Sequence, residues 1–70
     1  MMIKEGITEN GYKIIEFQDL YAKNCSIQES SLATDNAIWI GVNDNRMHLN
    51  KEQVLELIPI LKKFADTGEL

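Results

Sequence analysis

Trp39, Arg46 and His48 are the side chains whose types and spacing could do chemistry, and the chain has one of each. All three fall within Ala37 to Leu49, AIWIGV-NDN-RMHL, which reads as a tight β-hairpin. Side chains alternate across a strand, so Ile38, Ile40 and Val42 share one face while Ala37, Trp39 and Gly41 share the other. On the return strand Met47 and Leu49 alternate with Arg46 and His48. A two-residue turn at Asn43-Asp44 or Asp44-Asn45 pairs the two aliphatic sets. The opposite face then collects Trp39, Arg46 and His48 around Gly41, which has no side chain.

That face suits recognition. Arginine presents a planar fork of donors matched to phosphate or carboxylate. Histidine adds a donor whose charge ordinarily changes near neutrality. An indole offers a flat apolar surface for a base or an aromatic side chain, with Tyr21 as a second stacking candidate. Gly41 leaves room for close approach of a ligand or another backbone. Gln28, Ser30 and Ser31 add neutral hydrogen-bonding groups if their strand neighbours the hairpin. The competing reading is plain solvation, with Arg46 and His48 facing water and Trp39 packed beneath a loop.

Catalytic templates mostly fail, and no catalytic or metal-ligating residue is assigned. One His and one Cys supply neither a helical zinc motif nor paired cysteines. Asn43-Asp44-Asn45 is oxygen-rich but lacks the spacing, glycine and terminal Glu of a calcium loop. The four glycines are dispersed, so no phosphate loop exists and no cofactor is expected. His48, a serine and Asp35 or Asp44 make a triad only on paper, because triads are defined by geometry. His48 as a lone general base on a phosphodiester, with Arg46 holding the anion, is the remaining enzymatic reading.

The elements that must position these residues fit one domain of 70 residues. A chain this short buries only roughly 60% of its unfolded surface. Cys25 is alone, so it cannot form an intramolecular disulfide and reads as a small buried hydrophobe. Self-association is the remaining route to a larger buried area, and a homodimer or higher oligomer is expected. The lone thiol, with no signal sequence, points to a reducing cytoplasm. Ala37 to Ile40 is the longest apolar run, too short for a bilayer, so no membrane partner is expected. A net charge of −4, one Arg and scattered lysines disfavour a nucleic-acid polymer.

Along the chain, residues 1–9 are weakly patterned, with room for a short edge strand. Asn10-Gly11 is a hairpin-turn dipeptide. Tyr12 to Gln18 reads as a strand rich in β-branched and aromatic residues. Asp19 to Asn24 is a polar connection, Cys25 to Ser31 a second strand, and Leu32 to Asn36 a loop before the Trp39 hairpin. Asn50 is an N-cap with Gln53 at the reciprocal capping-box position. The helix runs from Lys51 to about Asp66 and stops at Gly68. Val54, Leu57, Ile58, Leu61 and Phe64 form its apolar stripe. Pro59 removes the bond to the carbonyl of Leu55 and should bend the axis. Leu55 and Ile60 widen the greasy surface, either to wrap a twisted sheet or to contact a second subunit. The expected fold is α+β: an antiparallel sheet of three to five strands packed by one C-terminal helix.

Ile15-Glu16-Phe17, Cys25 to Ala33 (CSIQESSLA), Ala37 to Gly41 (AIWIG), Arg46 to Leu49 (RMHL), Glu52-Gln53 and the terminal Thr67-Gly68-Glu69 also occur as a set. In this combination the chain resembles a family of small bacteriophage and prophage proteins without an assigned function. Longer members of what looks like this family carry an insertion between the positions of Gly41 and Arg46, closed here by the short turn Val42 to Asn45. The resemblance implies a setting, phage against bacterium, in the cytoplasm of an infected host. Small phage proteins of this kind commonly occupy a host protein surface or trap a nucleotide signal. The leading expectation is therefore non-enzymatic capture of a small anionic ligand, a nucleotide immune signal. Arg46 would anchor the anion, His48 with Ser30 or Ser31 would hydrogen-bond it, and Trp39 or Tyr21 would stack. The alternatives are a protein–protein inhibitor of a host defence protein and a small phosphodiesterase-like enzyme using His48.

Overall fold

The computed structural model describes residues 1–31 and 34–70. The expected 32–36 loop therefore lies partly outside the described residues. Five strands, β1 (Lys4–Ile7), β2 (Lys13–Gln18), β3 (Asn24–Glu29), β4 (Ala37–Val42) and β5 (Met47–Asn50), precede one helix, α1 (Lys51–Thr67). The strands form one antiparallel sheet in the order β1-β2-β3-β4-β5. Sheet and helix make the expected α+β fold.

Alternation sorts the sheet into two faces. Ile15, Ile27, Ile40 and Met47 stand opposite one another across β2 to β5, and Phe17, Cys25 and Val42 form the next row. Each such cross-strand pair adds about 0.2–1 kcal/mol. On the other face Glu16, Ser26 and Gly41 make one row, and Gln28, Trp39 and His48 another.

Three turns set the register. Between β1 and β2 the amide of Gly11 donates to Thr8 O at 2.9 Å, and Thr8 N donates to Tyr12 O at 2.8 Å. Only Gly11 is left-handed there (φ 88°), so Asn10-Gly11 ends a longer connection and does not form a two-residue turn by itself. Between β4 and β5, Asn45 N donates to Val42 O at 2.9 Å, which makes Asn43-Asp44 the central pair. Neither central residue has positive φ, and the left-handed backbone falls instead on Gly41 (φ 138°). Between β2 and β3 the Asp19 carboxylate accepts from the amides of Tyr21 (2.8 Å) and Lys23 (2.9 Å). Ala22 there takes φ 61°, a region that crowds its Cβ.

Asn50 ends β5 and also caps α1. Its side chain accepts from Gln53 N at 2.9 Å, and Gln53 Oε1 accepts from Asn50 N at 3.0 Å, completing the expected capping box. Gly68 closes the helix in the left-handed region, its amide donating to Phe64 O at 2.7 Å. The helix meets the sheet chiefly at β5, and none of its residues is buried. Cys25, at 5% exposure, is buried as expected, and it is the single buried apolar side chain among the described residues. No helix among the described residues is long and apolar enough to cross a membrane.

Ala22 gives a direct test of the β2–β3 turn. Ala22→Gly should raise stability by roughly 0.5–1 kcal/mol, because the αL penalty of an L residue exceeds the added chain entropy of glycine. Thermal denaturation followed by far-UV circular dichroism should show the midpoint rise by a few degrees.

Candidate functional site

The polar face of β3, β4 and β5 gathers most of the residues singled out from the sequence. Its geometry starts at Gly41, between Ser26 on β3 and the segment leading into β5. A Cβ placed on Gly41 would lie 3.4 Å from Cα of Arg46 and 3.6 Å from the carbonyl of Asn45. With that volume empty, the Arg46 side chain reaches past β4 to β3. Its Nη1 donates to Ser26 Oγ at 3.1 Å and to Gln28 Oε1 at 2.9 Å. Ser26 and Gln28 are two residues apart on one strand, so they project from the same face and hold one end of the guanidinium from two sides.

Ser26 is the anchor of this arrangement. It is 1% exposed, and its hydroxyl donates to Asn43 Oδ1 at 2.7 Å while accepting from Arg46. Asn43 amide in turn donates to Asn24 O at 3.0 Å, locking the β4–β5 turn to β3. Sequence reading gave Asn43 only a turn role. The signal that could have exposed its second role is the pairing of β3 with β4, which residue types alone do not reveal. Arg46 is half-buried, and its partners are neutral. Among the described residues the single ion pair joins Lys62 to Asp66 on α1, so none of their carboxylates lies within ion-pair distance of the guanidinium. Hydrogen bonds to a charged group are worth about 1.5–3 kcal/mol each, which makes this the strongest polar cluster of the sheet.

Beside it, Trp39 and His48 are direct cross-strand partners, and their rings stack with centroids 3.9 Å apart and planes 7° from parallel. Such a pair contributes about 0.5–1.5 kcal/mol beyond its buried area. Nε2 of His48 lies 2.8 Å from Ser30 Oγ, just past the end of β3, and the Ser30 amide donates to Ala37 O at 3.0 Å. Trp39 thus packs against an imidazole. A serine hydroxyl against an imidazole nitrogen is also the first contact of a nucleophile–base pair. No carboxylate among the described residues bonds the other imidazole nitrogen, and neither Asp35 nor Asp44 joins the cluster.

Arg46, His48, Trp39, Gln28 and Ser30 are therefore brought together on one face. Ser31 is exposed beyond Ser30, and no hydrogen bond among the described residues ties its side chain to the cluster. Tyr21 sits at the exposed tip of the β2–β3 turn, and no described contact joins its ring to the hairpin. No family model, no curated protein and no solved structure matches the chain.

Removing the anchor should cost stability. Ser26→Ala strips a buried hydroxyl from Arg46 and Asn43 and is expected to lower unfolding free energy by roughly 1–3 kcal/mol. Gly41→Ala combines a left-handed φ with contact against Arg46 Cα, and a loss of at least about 1 kcal/mol is expected. Urea unfolding at constant m-value measures both.

Proposed function

We propose that the Arg46–Trp39–His48 face captures a small anionic ligand of the nucleotide class, without turning it over, and so withdraws a signal of host immunity. One observation carries this reading. A half-buried guanidinium is held in place by Ser26 and Gln28, yet among the described residues no carboxylate lies within ion-pair distance of it. Burial of a cation without a counter-charge is costly, and a phosphate would supply the missing charge through the remaining guanidinium donors. His48 supplies a hydrogen-bonding group within the same face, and the Trp39–His48 stack supplies aromatic surface for a base. The anchor is already assembled, so little side-chain entropy is lost on binding.

A second reading, a phosphodiesterase-like enzyme, draws on the Ser30–His48 contact, with Arg46 as the anion holder. Among the described residues no carboxylate orients the imidazole, which places it behind capture.

A panel of cyclic and linear nucleotides separates these readings. A ligand at about 100-fold its Kd stabilises by about 2.7 kcal/mol, a rise in Tm on the order of 10 °C for a domain of this size. Arg46→Ala should abolish that shift while leaving the far-UV spectrum unchanged, and the nucleotide should be recovered intact by chromatography. Cleavage lost in His48→Ala would establish the enzyme instead. Absence of a shift with every nucleotide, together with co-purification of a host protein, would point to the protein–protein inhibitor.

A further inference from the structure

We infer that the apolar face of the sheet, opposite the Arg46 site, is a docking surface for the helix of a second copy of this chain, with the two copies exchanging helices. The first support is area. A compact protein of 8.0 kDa has an accessible surface of about 4,450 Å², whereas this chain exposes 6036 Å². The excess, about 1,600 Å² per chain and so about 3,200 Å² for two, falls in the range that obligate dimers bury. The same openness appears in the radius of gyration, 13.2 Å against about 11 Å for a compact chain of this length.

The second support is where the excess lies. Leu57, Ile58, Leu61 and Phe64 stand on one stripe of α1 and are 38–62% exposed. The sheet offers a complementary groove of about 470 Å³, lined by Ile7, Ile15, Ile27 and Ile38 with Lys13 and Glu29 at its rim. A helix of 17 residues is about 25 Å long, enough to cross five strands, which span about 19 Å.

The third support is connectivity. Asn50 is both the last residue of β5 and the cap of α1, so the helix leaves the sheet edge without a linker and meets its own sheet chiefly at β5. A second copy has no such restraint, and its helix carries the same stripe.

Sedimentation equilibrium of the full chain at micromolar concentration should give twice the 8.0 kDa chain mass. Ile15→Asp on the sheet and Leu61→Lys on the helix should each abolish the dimer. Mixed in equal amounts, the two variants should regain it. One interface of the mixed dimer is then unmodified, and the other sets Lys against Asp. A folded wild-type monomer would overturn the proposal, as would a dimer indifferent to both substitutions. If both variants are monomeric and mixing restores nothing, helix exchange is wrong.

Discussion

The hydroxyl of Ser26 accepts from the Arg46 guanidinium and donates to Asn43, and in doing so it joins β3, the β4–β5 turn and the entry to β5 at the most buried side chain among the described residues. The β4–β5 turn and the site both lean on that hydroxyl. If β4 slipped by one residue, Gly41 would leave the space between Ser26 and Arg46, and every apolar residue of the strand would change face. The guanidinium could then no longer cross to β3. Because the oxygen is almost completely shielded from water, each of its two hydrogen bonds is worth more than at the surface, and losing either exposes the desolvation cost of its partner.

This polar anchor stands where a protein of this size would ordinarily place an apolar core. The hydrophobic residues are present and correctly alternated, but the chain leaves them half-covered: β4 is intermediate in exposure along its whole length, and no residue of α1 is buried. Folding must offset the entropy of ordering some 70 residues, and a single open sheet with one projecting helix removes too little apolar surface to do that comfortably. The polar face and the apolar face therefore serve different ends. The first carries a preassembled cation beside an aromatic pair, while the second is unfinished in one chain.

The same contacts support the proposal of recognition over catalysis. Arg46 is held by neutral acceptors, and His48 by a serine and an indole. These contacts fix the positions of both groups. A general base would be oriented through its second nitrogen by a carboxylate, and no carboxylate among the described residues bonds His48.

Much of this was legible in the chain itself, because it is local. Period-two alternation separated Ile38, Ile40 and Val42 from Trp39 and Gly41, and Asn50 with Gln53 announced the helix start. Placing Arg46, His48 and Trp39 on one face needed only the turn length. Strand order, the use of Gln28 and Ser30, and the second role of Asn43 did not follow from local pattern, since they depend on which strands become neighbours. The same holds for Tyr21 and Ser31, which no hydrogen bond among the described residues joins to the cluster. Exposure of the α1 stripe was equally out of reach: amphipathicity says that a helix has a face to bury, but only the assembled chain shows Leu57, Ile58, Leu61 and Phe64 left 38–62% exposed. Alternation and capping are properties of neighbouring residues, whereas burial and pairing belong to the assembled chain, and that is the boundary between what the sequence determined and what the tertiary structure decided.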